Sequence, residues 1–281
     1  MAGTLHLVAT PIGNLEDITL RALRVLKEID LVACEDTRHT RKLLTHYQIS
    51  KPTLSYHEHN ERERAAELIE KLEAGMNIAL VSDAGTPLIS DPGFRLVREA
   101  IARHIRVVPI PGASALITAL AASGLPTVEF VFAGFLPARR AARRARLQEL
   151  SGINATLILY EAPHRIRETI KDARDVLGDR ACVIARELTK LHEEFVRGSL
   201  SEVEVAEGTA RGEIVLVIGP PIEQGKQLER ESPHSILKQV EEIVLGEGLN
   251  QKSALKRVAR ERRISKSEAY RLMIAERARS K

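Results

Sequence analysis

Apolar positions recur in two rhythms along the first 220 residues. The short runs 5–9, 30–34, 78–81 and 105–110 are dense in Leu, Ile, Val and Ala. They end in Thr-Pro, Glu-Asp, Ser-Asp and Pro-Gly, which predicts strands closed by turns. Longer stretches between them carry apolar residues three apart. Leu20, Leu23, Leu26 and Ile29 mark a helix over 18–29, and further helices are predicted over 62–72, 94–101 and 113–122. The turn formers at 123–127 read as a linker. Beyond it, 130–133, 156–160, 181–185 and 214–218 predict strands and 166–177 a helix. Strands separated by crossover helices predict a parallel sheet and an α/β class, and the closer strand spacing toward 218 predicts a mixed second sheet.

After about residue 222 the strand signals stop and helix formers dominate. Helices are predicted over 252–262 and from Lys266, where Ser265 and Glu268 are spaced as a capping box, giving a helix-turn-helix-like tail. The expected organisation is an N-terminal α/β domain over 1–123, a C-terminal α/β domain over 124–221 and a basic helical tail over 222–281.

At 281 residues, 44% hydrophobic and 28% charged, the chain is neither disordered nor fibrous. No apolar run approaches the roughly 18–20 residues of a membrane span, and the N-terminus lacks the basic region of a secretory signal. Cys34 and Cys182 are far apart, which excludes a disulfide framework or a zinc ribbon and fits a reduced, cytoplasmic setting. Aromatics are 3% with no tryptophan, which argues against sheets or barrels that read bases with exposed rings. Net charge is only +4, but it is unevenly spread. Residues 252–281 carry about eight net positive charges, and Arg139, Arg140, Arg143, Arg144 and Arg146 follow one another with no acid before Glu149. Arg139, Arg140, Arg143 and Arg144, with Lys256, Arg257, Arg260 and Arg263 in the tail, are the expected contacts to nucleic-acid phosphates.

The common nucleotide-binding and hydrolase signatures are missing: there is no P-loop, no G-x-G-x-x-G after a strand and no G-x-S-x-G elbow. His57-Glu58-His59 is the one dense histidine pair and reads as a solvated loop, so no metal site is expected. Four loops stand out because each follows a strand: 9–15, 82–93, 109–115 and 160–165. Ligands of open α/β sheets bind outside the carboxyl ends of strands, so these loops are placed to converge on one cleft.

The strings Ala9 to Asn14, Ser-Asp-Ala-Gly-Thr-Pro-Leu-Ile-Ser-Asp-Pro-Gly from Ser82, Pro-Gly-Ala-Ser-Ala from Pro111, Tyr-Glu-Ala-Pro-His-Arg from Tyr160, and Arg-Glu-Leu-Thr-Lys from Arg186 with Glu193-Glu194 resemble the tetrapyrrole-methylase superfamily. Within it they resemble the ribosomal branch, the 16S rRNA (cytidine-2′-O)-methyltransferases, from about residue 4 to 220 in matching order. Asp83-Ala84-Gly85 stands where the corrin-making relatives have Gly-Asp-Pro, which favours that branch. The resemblance implies two α/β domains with an S-adenosyl-L-methionine cleft between them, a homodimer, and methyl transfer to a ribose 2′-hydroxyl of a cytidine in the decoding region of 16S rRNA, within the small ribosomal subunit. It carries cofactor contacts onto Pro11, Asp83, Gly85, Ser114, Ala115, Ala133 and Ala162.

A ribose hydroxyl is a poor nucleophile near neutral pH, so a neighbouring base or cation would help. Glu187 and Lys190, and Glu161 in the loop with His164 and Arg165, are the candidates. The 186–194 segment also fits a solvated charged loop or a dimer salt-bridge cluster, and the sequence singles out no one base. Two other readings stay open: a corrin-type small-molecule methylase, and a non-catalytic RNA-binding assembly factor.

Overall fold

A computed structural model describes residues 2–204, 212–221, 235–261 and 264–279. The first sheet has strands β1 (Thr4–Val8), β2 (Leu31–Cys34), β3 (Thr53–Ser55), β4 (Ile78–Val81) and β5 (Arg106–Ile110), in spatial order β3-β2-β4-β1-β5 and wholly parallel. Helices α1 (Leu20–Glu28), α2 (Thr37–His46), α3 (Glu61–Glu73) and α4 (Phe94–Ala102) make the crossovers. Thr19 and Asp36 start the first two, their side-chain oxygens accepting from the backbone N–H groups of Ala22 and Arg38 at 3.0 and 2.8 Å. Every residue of β2 and β4 is buried, as a strand covered on both faces must be. Alternation then divides their side chains: Ala33, Ile78 and Leu80 pack toward α3 and α4, and Val32, Ala79 and Val81 toward α1 and α2. Pro109 sits in edge strand β5, where its missing N–H breaks no ladder.

The second sheet is mixed, as the spacing predicted. Strands β6 (Phe130–Phe135), β7 (Thr156–Glu161), β8 (Ala181–Arg186), β9 (Glu194–Ser199) and β10 (Ile214–Ile218) lie in the order β6-β7-β10-β8-β9. Only β6 and β7 run parallel; β10, last in sequence, is central and antiparallel to both neighbours. One face is covered by α6 (Arg140–Ser151) and α7 (Ile166–Leu177), the other by α5 (Ala115–Ser123), whose Leu116, Ala119 and Leu120 share a core with Ile158, Val183 and Val217. Residues up to Pro221 form one compact unit. The expected boundary after residue 123 therefore falls behind the helix that packs the first half onto the second sheet.

Among its described residues the second compact unit holds three helices: α8 (Ile236–Glu247), α9 (Gln251–Glu261) and α10 (Lys266–Arg279). They share a small core that includes Ile236, Val240, Leu255, Val258 and Met273. Ser265 caps α10 as the spacing predicted, its hydroxyl accepting from the Glu268 N–H at 3.2 Å.

Candidate active site

Three of the four loops singled out in the sequence, those after β1, β4 and β5, meet at a cleft of about 490 Å³ within the first unit, and the fourth reaches it only through Tyr160 at the end of β7. Ile12 enters after β1, Glu35 after β2, Asp83 to Thr86 and Ile89 to Asp91 after β4, and Ser114 and Ala115 at the start of α5. The second sheet supplies Phe135, Tyr160, Glu187, Leu188, Lys190, Glu213 and Val215. Parallel strands present their carboxyl ends here, the position where open α/β sheets bind ligands.

Backbone contacts fix the loops against one another. Thr10 and Gly85 exchange both backbone hydrogen bonds, at 2.9 and 3.0 Å, and the Thr10 hydroxyl donates to Ser82 O. Thr86 Oγ1 donates to Ala113 O at 3.2 Å, joining the β4 loop to the β5 loop. Gly85 has a φ of +85°, which an L side chain resists. Gly13 is required for close approach instead, since a Cβ there would stand 2.7 Å from Leu188 O. In the loop after β8, Glu187 and Thr189 hold left-handed backbone (φ 50° and 66°) without being glycine. Such strain persists where surrounding structure imposes it, and it gathers at functional sites. It aims Glu187 and Lys190 into the cleft, where Lys190 Nζ donates to Glu187 Oε1 at 2.9 Å.

The wall is strongly acidic. Glu35, Asp83, Asp91, Glu187 and Glu213 line it, and Lys190 is the one cation among the described lining residues. Burial, then the nearby Glu35 and Glu213 carboxylates, push Asp91 up to about 7, against a Ser82 hydrogen bond that favours the ion. Burial and the neighbouring Asp83 likewise raise Glu35, and burial pushes the Tyr160 phenol up to about 12. A ligand bearing positive charge would relieve this crowding. The small side chains of Ala84 and Ala115 and the apolar Ile12, Phe135, Leu188 and Val215 leave room for a flat apolar group beside it.

The Asp91 charge gives a measurable pH dependence. The folded chain holds this proton more tightly than the unfolded one, whose carboxyl titrates near 3.9. Stability therefore declines as pH rises from about 4 to about 7, and the full penalty stands above pH 7. Asp91→Asn is expected to remove that decline, raising stability at pH 8 by about 2–3 kcal/mol once solvent screening at the partly exposed site is allowed for, with no gain at pH 4. Denaturant unfolding of both proteins at pH 4, 6 and 8 without ligand checks it; parallel curves would mean that Asp91 is ionised without penalty.

Not every sequence candidate reaches the cleft. Asp83, Gly85, Ser114, Ala115, Glu187 and Lys190 line it; Pro11, Ala133, Ala162 and Glu161 do not. Pro11 is buried beside the Thr10–Gly85 bridge, and Ala133 packs in the core under α6 and α7. Glu161 is fully buried: it accepts from Thr169 Oγ1 at 2.6 Å and the Ala162 N–H at 2.8 Å and pairs with Arg165. Adjacent residues of a strand face opposite ways, so the residue of β7 that serves the cleft is Tyr160. Glu35, Asp91, Tyr160 and Glu213 join the site although sequence reasoning did not single them out. Asp91 and Tyr160 sat within the quoted Ser-Asp-Pro-Gly and Tyr-Glu-Ala-Pro-His-Arg strings, whereas Glu213 arrives only because β10 inserts between β7 and β8.

The arginine segment also divides. Arg143 is 1% exposed and forms a buried pair with Asp172 on α7, 2.8 Å apart, so it is a packing residue and not a phosphate contact. Arg140 and Arg144 reach the other Asp172 oxygen at 3.1 and 3.2 Å from more exposed positions, and Arg139 is exposed. Burial alone would raise the Asp172 carboxyl, but hydrogen bonds from Arg143, Arg140 and Arg144 outweigh it and hold it below its usual range. Lys256, Arg257 and Arg260 are exposed on α9; Arg263 lies outside the described residues.

Comparison with known proteins agrees with this geometry. The family model for tetrapyrrole (corrin/porphyrin) methylases matches residues 4–204. A protein of Halalkalibacterium halodurans named ribosomal RNA small subunit methyltransferase I is 49% identical, over 95% of this chain and 93% of its own. The protein of that name from Pseudomonas aeruginosa is 55% identical over 80% and 82%. Among solved structures, a diphthine synthase superposes with a TM-score of 0.60 at 16% identity, covering 77% of this chain and 90% of that one. Uroporphyrin-III C-methyl transferase from Thermus thermophilus, complexed with S-adenyl homocysteine, gives 0.53 at 20% identity, covering 77% and 97%. These two share the fold. With its loops, its cleft and relatives near half identity along most of its length, the chain belongs to the tetrapyrrole (corrin/porphyrin) methylase family, in the branch of the ribosomal RNA small subunit methyltransferases I.

Proposed function

We propose that the chain transfers the methyl group of S-adenosyl-L-methionine to the 2′-hydroxyl of a cytidine in the decoding region of 16S rRNA, presented by the small ribosomal subunit. The observation that carries the reading is the cleft: among the described residues, five carboxylates and one lysine at the meeting point of the family's loops. S-adenosyl-L-methionine supplies an activated methyl on a sulfonium cation and brings an ammonium besides, so it suits a wall that is short of positive charge. Asp83, Asp91 and Glu213 are the residues to meet those cations. The first N–H groups of α5, at Ser114 and Ala115, suit a carboxylate, since a helix start carries unpaired donors and partial positive charge.

Toward the acceptor, Glu187 Oε1 is the atom to take the hydroxyl proton. Lys190 Nζ, 2.9 Å away, orients that carboxylate and steadies the oxygen that loses the proton. Methyl transfer is an in-line displacement, so much of the rate comes from holding the two reactants together, worth about 7–11 kcal/mol in well-oriented cases. The strained backbone at Glu187 and Thr189 suits such positioning. Exposed Arg139 and Arg140, with Lys256 and Arg260 of the tail, are the proposed phosphate contacts.

The working form is proposed as a cytoplasmic homodimer. Phe94, Ile101, Val128 and Leu191 expose much of their apolar surface in the single chain, which a second copy would cover. No helix among the described residues is long and apolar enough to cross a membrane.

The decisive experiment supplies methyl-labelled S-adenosyl-L-methionine and small ribosomal subunits from a strain lacking this gene. Label is expected in the RNA at one alkali-resistant ribose linkage. Label on a base, or none while the cofactor still binds, would overturn the assignment and bring small-molecule acceptors forward.

A further inference from the structure

The tail contains a groove that the methylase site does not use. It lies between α9 and α10, about 730 Å³ in volume, and Lys252, Leu255, Lys266, Ser267 and Tyr270 line it with Met273. Lys266, Tyr270 and Met273 fall at i, i+4 and i+7 on α10, so they share one face, and Lys252 and Leu255 do the same on α9. Leu255 and Met273 are buried and form an apolar floor. Tyr270 is 53% exposed beside it, and an exposed lysine stands on each helix. No carboxylate is among the described residues lining the groove.

An apolar floor, one free aromatic face and two flanking cations are the parts with which proteins hold single-stranded nucleic acid. Bases stack on the ring whatever their identity, and the phosphates meet the cations. We infer that this groove binds unpaired RNA, with one base stacked on Tyr270 and the adjoining phosphates on Lys252 and Lys266. This rests on the RNA-substrate reading above but uses different residues from the phosphate contacts proposed there, of which Lys256 lies one helical turn from Lys252 on α9. It assigns the tail a base-holding role in addition to charge, although the aromatic-poor composition argued against stacking. A peptide with an apolar anchor would also fit the floor, but the charge around the groove favours a polyanion.

The chain has no tryptophan, so Tyr270→Trp in the full chain places a single reporter in the groove. An eight-nucleotide single-stranded RNA is expected to quench it, and an abasic ribose-phosphate oligomer of equal length is not. Tyr270→Ala should weaken binding of the labelled octamer roughly tenfold or more, while Tyr270→Phe retains it, because stacking needs the ring and not the hydroxyl. The double variant Lys252→Ala/Lys266→Ala should weaken binding and lower its salt dependence. An unquenched reporter, or Tyr270→Ala that binds as tightly as the unaltered chain, would overturn the proposal even if the lysine variant weakens. The methyl-transfer assay on the unaltered chain, run alongside, scores the other reading separately. Transfer without Tyr270 dependence sinks the groove alone, and Tyr270-dependent binding without transfer sinks the activity alone.

Discussion

Asp172→Ala is expected to cost about 3–5 kcal/mol of stability, because it leaves the buried Arg143 guanidinium without its carboxylate partner. Arg143 would retain the Ala138 carbonyl, 3.3 Å away, and the largely exposed Glu168 carboxylate at 3.4 Å; neither replaces a fully buried pair at 2.8 Å. The reverse change is milder. Arg143→Met leaves Asp172 served by Arg140 and Arg144, which approach from the more exposed side, and a methionine can fill much of the vacated space. The two variants should therefore differ by at least about 2 kcal/mol in denaturant unfolding. Equal losses would show that the pair is no more than an α6–α7 surface contact. Neither change reaches the cleft, so cofactor affinity should survive in whatever fraction remains folded.

Gly85→Val is expected to abolish cofactor binding, lowering affinity by more than 100-fold. At φ +85° a β-branched residue is strained by about 1–3 kcal/mol, and its Cβ would stand 3.3 Å from Ile12 Cγ2 on the opposite wall. Relief of either problem pulls Gly85 from its double hydrogen bond with Thr10, which sets the distance between the β1 and β4 loops. Gly124→Ala separates strain from site. It has a similar φ of +78° at the end of α5, but nothing lies within 4 Å of the added carbon. That variant should lose stability and keep full affinity for S-adenosyl-L-methionine in titration calorimetry. Retained affinity in Gly85→Val would place the cofactor elsewhere.

Most of the scaffold was readable because buried strands and amphipathic helices announce themselves through their periods. Strand β3 escaped because it has three residues, and β9 because Glu-Phe-Val-Arg-Gly-Ser, at a sheet edge, is neither an apolar run nor a clean alternation. The site was legible as loops and less so as side chains. Every residue of β7 is buried, so the sequence offers no polar phase to tell which of Tyr160 and Glu161 faces the cleft. Arg143 carried a usable signal. It precedes Leu147 and Leu150 by four and seven residues, on the buried stripe of α6, where a cation requires a partner such as Asp172. The acidity of the wall was invisible for another reason. Glu35 and Asp91 are distant in the chain and meet only when β2 and β4 pair in the first sheet, and Glu213 joins them only from the second.

The central place of β10 bears on how the chain is made. During synthesis the first sheet is complete once β5 emerges, since all its strands precede Ile110. The second sheet cannot close so early. Until residues 214–218 appear, β7 and β8 each present an unpaired edge, and both belong to the most thoroughly buried part of the finished protein. The nascent chain thus carries two hydrogen-bonding edges waiting for one strand, and β10 satisfies both at once. Slow translation or a pause ahead of that strand prolongs the exposure, making this interval the point of greatest risk for misassociation between growing chains.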